Sequence, residues 1–212
     1  MSSPVHVGTA TDYKVAATTH TMLVPAYSTG DRVLVAVALD SGINVGSITS
    51  VVAPDGETVS LVQARFGDGG TGQTSLALYS YVATDNQSAG AALVVNLGTS
   101  DQCATAVMAF SGAGSIANLT TGFGNAATAS APATTATNAL GIVVQFVGSD
   151  NVHPTAVPDG YTSRSQKTGG AVNIIAATRI AATTAAESIA AAGYPLSGTE
   201  DYAALTCVIE AA

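Results

Sequence analysis

The stretch Gly30-Asp31-Arg32-Val33-Leu34-Val35-Ala36-Val37-Ala38-Leu39 decides the fold class. Its apolar part is Val-rich, follows a Gly-Asp turn signal and is too short for a core helix, so it reads as a buried strand. The neighbouring runs agree. Leu76, Leu78, Ser80 and Val82 alternate with Ala77, Tyr79, Tyr81 and Ala83, the period-two pattern of a strand covered on one face and partly covered on the other. Ala91 to Leu97 and Cys103 to Phe110 continue the series. Pro54-Asp55-Gly56 and Asp68-Gly69-Gly70 lie between runs as turn chemistry, because proline presets φ and glycine accepts positive φ. Short strands punctuated in this way predict a sandwich or barrel.

The pattern then repeats at a separation of about 100 residues, a long-period internal similarity. Pro54-Asp55-Gly56 returns as Pro158-Asp159-Gly160, and the first apolar run returns as Leu140-Gly141-Ile142-Val143-Val144-Gln145-Phe146-Val147. Ser75 to Tyr79 has its counterpart in Asn173 to Ala177, and Asp101 matches Asp201 before the last strand of each half. The expected organisation is an N-terminal arm over residues 1–21 and one sandwich domain over 22–212. Its pseudo-repeats cover about 22–112 and 131–212, joined by a crossing segment of small residues with room for one short strand, Gly112 to Thr137. Ala181 to Ala192 is Ala-rich, which favours a helix. Thr183, Thr184 and Ile189 oppose that, and the repeat places a loop and strand there.

Composition narrows the function classes. Of 212 residues, 47% are hydrophobic and only 9% charged, against roughly 25% charged in an ordinary domain. A weakly charged surface suits a chain that lies partly against a neighbour. With 6 basic residues against 14 acids, no basic stripe is available to neutralise phosphates or anionic lipid, so neither nucleic acid nor membrane is an expected partner. The opening Met1 to His6 carries no basic region followed by an apolar stretch, so no secretory signal is expected. Cys103 and Cys207 both fall in apolar runs and read as reduced structural thiols, with a disulfide or a reactive thiol as alternatives.

The order of these signals resembles a two-half jelly-roll-like domain of phage virion proteins and secreted bacterial proteins. The resemblance is carried by Gly30 to Ala36, Pro54-Asp55-Gly56, Leu78 to Thr84 and Ala109-Phe110-Ser111-Gly112. In the second half it is carried by Ala131-Pro132-Ala133, Asn138-Ala139-Leu140 and Pro158 to Thr162. Such domains often carry Trp-Thr after Pro-x-Gly. Here the positions hold Glu57-Thr58 and Tyr161-Thr162, so the aromatic plug of that corner is absent from the first half and a tyrosine in the second.

Candidate chemistry is sparse. His6, His20 and His153 have no metal-ligand spacing and read as surface or turn residues. Asp31, Asp55, Asp101, Asp159 and Asp201 adjoin turns or strand starts and read as turn-tightening residues, the rival being a calcium site built from two loops. Gly67 to Thr74 superficially resembles a phosphate loop, but it lacks the lysine and precedes a strand, so it reads as a hairpin tip. No Gly-x-Ser-x-Gly elbow occurs, and paired carboxylates on distant strands are the one catalytic arrangement that spacing leaves open. Tyr13, Tyr27, Tyr79, Tyr81, Tyr161, Tyr194 and Tyr202 are the main candidates for stacking on a sugar.

The expectation is therefore an all-β, jelly-roll-like antiparallel sandwich of two pseudo-repeated five-strand halves, without catalytic, cofactor-binding or metal-binding residues. The function expected from the resemblance is that of a non-enzymatic virion structural protein, a capsid decoration or other head or tail surface protein. Its partners would be viral capsid or tail proteins and copies of itself. The alternative is a carbohydrate- or cell-surface-binding module.

Overall fold

The computed structural model describes residues 3–40, 47–56, 58–65, 74–136, 140–168, 170–181 and 186–212. The first half of the chain forms β1 (Val5–Leu23), β2 (Arg32–Leu39), β3 (Ile48–Val52), β4 (Ser60–Arg65), β5 (Ser75–Val82) and β6 (Ala92–Ser111). The second half forms β7 (Ala113–Ala131), β8 (Thr134–Ala136), β9 (Ile142–Asp150), β10 (Thr162–Lys167), β11 (Val172–Ile180), β12 (Glu187–Ile189) and β13 (Ala192–Ala211). The chain is an all-β antiparallel sandwich, with no helix among the described residues.

Each half builds one whole sheet. The first has the order β1-β6-β2-β5-β4, with β3 paired to the far part of β6. The second has the order β7-β13-β9-β11-β10, and β8 pairs with β12 beside it. Exchanging β1, β2, β4, β5 and β6 for β7, β9, β10, β11 and β13 turns one order into the other, so the repeat seen in the sequence is a repeat of topology. The registers of β2 on β5 and of β9 on β11 set Arg32 against Ile142 and Ser75 against Asn173. The second correspondence is the one expected. The central registers of β6 and β13 instead set Asp101 against Glu200 and Gln102 against Asp201, one residue away from the expected match of Asp101 with Asp201.

Both long strand pairs bend at the same place. On β1 and β6 the pairing steps from Ala17↔Asp101 to Thr19↔Asn96. On β7 and β13 it steps from Thr128↔Pro195 to Ala126↔Glu200. The extra residues on one strand make a bulge, which kinks it and ends its flat course. Beyond the bulge each pair folds back over the outer face of its own sheet. Met22, Val51, Leu93 and Val95 thereby pack with Val33, Val35, Val37 and Leu39, and Ala129, Ala131 and Tyr194 pack with Val147, Ile175 and Ala204. The inner faces meet in a separate core that includes Leu34, Met108 and Phe110 from one half and Phe146, Ile174 and Leu205 from the other. Both faces of β2 and β9 are thus covered, which is why their cores are apolar without alternation, β9 apart from the buried Gln145, Ser149 and Asp150.

Three expectations are corrected. Residues 1–21 are not an arm: from Val5 onward they form β1, paired along β6 of the same chain. Local apolar content was too low to signal this, because the strand is specified by a long-range partner. Gly112 to Thr137 holds more than one short strand, since the 19-residue β7 lies in it as well as the short β8. Small residues there meet packing demands: a Cβ on Gly124 would lie 3.1 Å from the Tyr202 ring. Ala91 to Leu97 and Cys103 to Phe110 are also one bent strand, β6, instead of two. In Ala181 to Ala192 the described residues include β12 and the start of β13, as the repeat implied, while residues 182–185 lie outside the described residues.

The shared inner core sets the first expected outcome. Residues 1–112 and 113–212, expressed separately, each expose a large apolar sheet face and should be insoluble or molten; two well-dispersed NMR spectra would contradict this. A second outcome follows from the turn before β9. Gly30 (φ 87) has its counterpart in Leu140 (φ 70), a leucine held in the left-handed region and 47% exposed. Leu140→Gly should raise stability by about 0.5–1 kcal/mol in denaturant unfolding, the relief of that conformation less the added entropy of the unfolded chain.

Candidate functional site

The acids singled out from the sequence do not share one role. Asp31 tightens its own turn, accepting from the Ser28 N–H at 2.9 Å, and Asp55 accepts from the Thr84 hydroxyl at 3.0 Å. Asp159 is exposed in its turn. Asp101 and Asp201 are not turn residues but buried strand residues beside the two bulges. Asp101 accepts from the Gln102 N–H at 2.8 Å, and Asp201 accepts from Asn125 Nδ2 at 2.8 Å.

The histidines also separate. His153 is exposed, with its ring Nδ1 3.4 Å from the Ser197 hydroxyl. His6 is half-buried with its ring edge-on to Phe110, and burial followed by the Arg164 charge lowers its pKa. His20 corrects the expectation of a surface residue: it is buried on β1, and burial lowers its pKa against the opposing influence of Asp101. Cys103 and Cys207 are buried free thiols, one in the outer core of the first half and the other in the inner core. Burial pushes the Cys207 thiol up to about 12 and raises Cys103 as well, so neither is poised as a nucleophile.

Of the tyrosines, Tyr27, Tyr79, Tyr81, Tyr194 and Tyr202 are buried, and Tyr13 and Tyr161 are half-buried. The Tyr27 and Tyr81 hydroxyls bond each other at 2.7 Å, and the Tyr194 hydroxyl donates to Gln145 Oε1 at 2.8 Å. Tyr161, at the plug position of the second half, packs against that half's outer cores. These rings therefore face inward, and Phe123 is the exposed aromatic among the described residues. The Gly67 to Gln73 tip lies outside the described residues.

The densest polar constellation was missed in the sequence reading. It lies where β2 and β9 end. The Asp40 N–H donates to the Gln102 carbonyl at 3.3 Å, and Gln102 Nε2 donates to Asp40 Oδ2 at 3.1 Å. The Tyr13 hydroxyl in turn donates to Gln102 Oε1. On the other side the Asp40 carboxyl lies against that of Asp150, so a chain of contacts runs from β1 through β6 to the ends of β2 and β9. Asp150 is 3% exposed, and its Oδ1 has no hydrogen-bond partner. Burial, the contact with Asp40 and the charges of Asp40, Glu200 and Asp201 push its carboxyl up to about 7. Burial raises Asp40 too, against the hydrogen bond from Asp150. The pair could have been found by aligning the repeats residue by residue, since Asp40 and Asp150 each follow the same central run.

This arrangement sets two carboxyls against each other and favours protonation of Asp150. Glycoside hydrolysis needs its carboxyls roughly 5 Å or more apart with a sugar between them, which a contacting pair of a buried Asp150 and a half-buried Asp40 does not provide. Among the described residues no three His, Cys, Asp or Glu side chains are grouped so as to hold a metal ion. The open grooves lined by Asn118 and Ser188, by His153 and Gln166, and by Lys14 and His20 lie elsewhere. No family model, curated protein or solved structure matches the chain.

Gly170 provides a test of how tightly this end is built. Its φ of +100° is a glycine conformation, and a Cβ there would run into the Tyr13 hydroxyl and approach Gln102 Oε1. Gly170→Ala should therefore cost about 2 kcal/mol in denaturant unfolding, combining backbone strain with loss of the Tyr13–Gln102 contact. An unchanged midpoint would show that this end can rearrange freely.

Proposed function

We propose that this chain is a non-enzymatic structural protein of a phage particle, a head-decoration or other head or tail surface protein, attached through the outer side of β1. The observation that carries the reading is the surface of that strand. β1 is the edge of its sheet, and Val5, Val7, Val15 and Leu23 are exposed on it, Val15 by 72%. Scattered exposed apolar residues need no explanation, but here four lie along one edge strand that carries little charge. Lys14 and Asp12 pair with each other at 2.9 Å, so the strand is weakly guarded against pairing with another chain. An edge of this kind suits the addition of a strand from a shell protein, with backbone bonds giving affinity and alternate side chains giving specificity.

The resemblance to two-half virion domains and the low overall charge support the same reading. The carbohydrate-binding alternative draws less support, because the tyrosines proposed as stacking platforms point into the cores.

Deleting residues 2–21 would remove most of a paired strand, so point substitutions are the better probe. Mass spectrometry of purified particles from the source should find the chain in many copies. A Val5→Ser, Val7→Ser, Val15→Ser triple variant should keep its thermal midpoint within a few degrees and lose particle binding at least tenfold. Absence of the chain from the particles would defeat the assignment, and undiminished binding by the triple variant would move the contact to another face.

A further inference from the structure

Pseudo-symmetry brings two like charges together at one point. A Cβ on Gly148 would lie 3.1 Å from the Ala38 Cβ, and Ala38 and Gly148 are equivalent residues of β2 and β9. The axis relating the halves therefore passes between them. Two residues further along, side chains point to the same side again, and there the equivalent residues are Asp40 and Asp150. Gln102 of β6, held by Tyr13 of β1, secures Asp40. The charged groups that act on the pair are acidic: Asp101 of β6 on Asp40, and Glu200 and Asp201 of β13 on Asp150. The nearby cation on β1, Lys14, is engaged by Asp12. Two carboxylates in direct contact, without a cation between them, do not both ionise readily, so the contact needs a proton.

We propose that the Asp40–Asp150 pair is a proton-operated clasp between the two halves, closed while it shares one proton and loosened when that proton leaves. It acts on the end of the sandwich where the central strands of both sheets stop, so its loss frees the ends of β2 and β9 to part.

The sign follows from the direction of the shifts. In the unfolded chain Asp150 takes the ordinary aspartate value of about 3.9. In the folded chain it is raised to about 7. The clasp therefore contributes fully below the ordinary value and is lost as pH rises toward 7, changing the unfolding equilibrium constant by up to about tenfold per pH unit. His6 and His20 act oppositely, because their lowered values cost stability as pH falls through the histidine range. Their contribution is common to wild type and to a variant of the pair, so the difference between the two isolates the clasp.

The test is denaturant unfolding of the full chain between pH 5 and pH 8, comparing wild type with Asp150→Asn, whose amide donates to Asp40 without titrating. The variant should be more stable than wild type at pH 8, and the advantage should shrink as pH falls toward 5. Carboxyl 13C NMR of wild type should show one aspartate titrating near neutrality. Parallel stability curves would overturn the clasp. So would the absence of any aspartate titrating above about pH 5.5, a measurement that needs no variant to fold. Cleavage of an unfolded protein substrate at pH 5, abolished by both Asp40→Asn and Asp150→Asn, would also overturn it by making the pair catalytic.

Discussion

Strands β2 and β9 are apolar on both faces, and the rest of the structure follows from the need to cover four sheet faces with two sheets. Packing the sheets against each other covers only the inner two. The outer two are covered because β1 with β6, and β7 with β13, are about twice as long as the central strands and fold back over them. A straight strand of that length would overshoot the sheet. The bulges at Asp101 and Glu200 convert the excess length into a cover, and β3 widens that cover in the first half.

This accounts for which parts of the fold were legible. A strand buried on both faces writes itself into the sequence as a largely apolar run, so β2, β9 and β11 could be read directly, and β5 was legible from its alternation. The covering strands do not write themselves in this way. Within β1, positions such as Asp12 and His20 are buried although polar, while Val5, Val7 and Val15 are exposed, so hydropathy gives the wrong impression in both directions. β7 is built from Gly, Ala, Ser and Thr because it lies close against large neighbours such as Tyr202, and that composition suggests a linker. Sheet propensity reflects packing on the sheet more than the backbone itself, and these two strands are cases where the packing partner lies more than 60 residues away.

The candidate site was hidden for a related reason. Asp40 and Asp150 look like ordinary strand-end aspartates in the sequence, and what distinguishes them is their meeting at the axis. The acids that did attract attention, at the Pro-Asp-Gly turns, hold local hydrogen bonds or face solvent. The repeat shapes the polar features as well as the core: an acid placed once in each half becomes a contact between like groups. Burial of Asp150 beside Asp201, Glu200 and Asp40 disfavours its charged form, the cost that the proposed clasp would convert into sensitivity to acidity.

The strand order also constrains how the molecule can be made. In each sheet the second position is taken by the last long strand of its half, with the first strand outside it and the central strand inside it. The first sheet cannot close until Ser111 has been synthesised, and the second lacks its second strand until β13 has been made. While the second half is being made, the first half's inner-face residues, Leu34, Met108 and Phe110 among them, have nothing to pack against. Until β13 emerges, that apolar surface is open to aggregation, the cost of a core shared between two halves made one after the other.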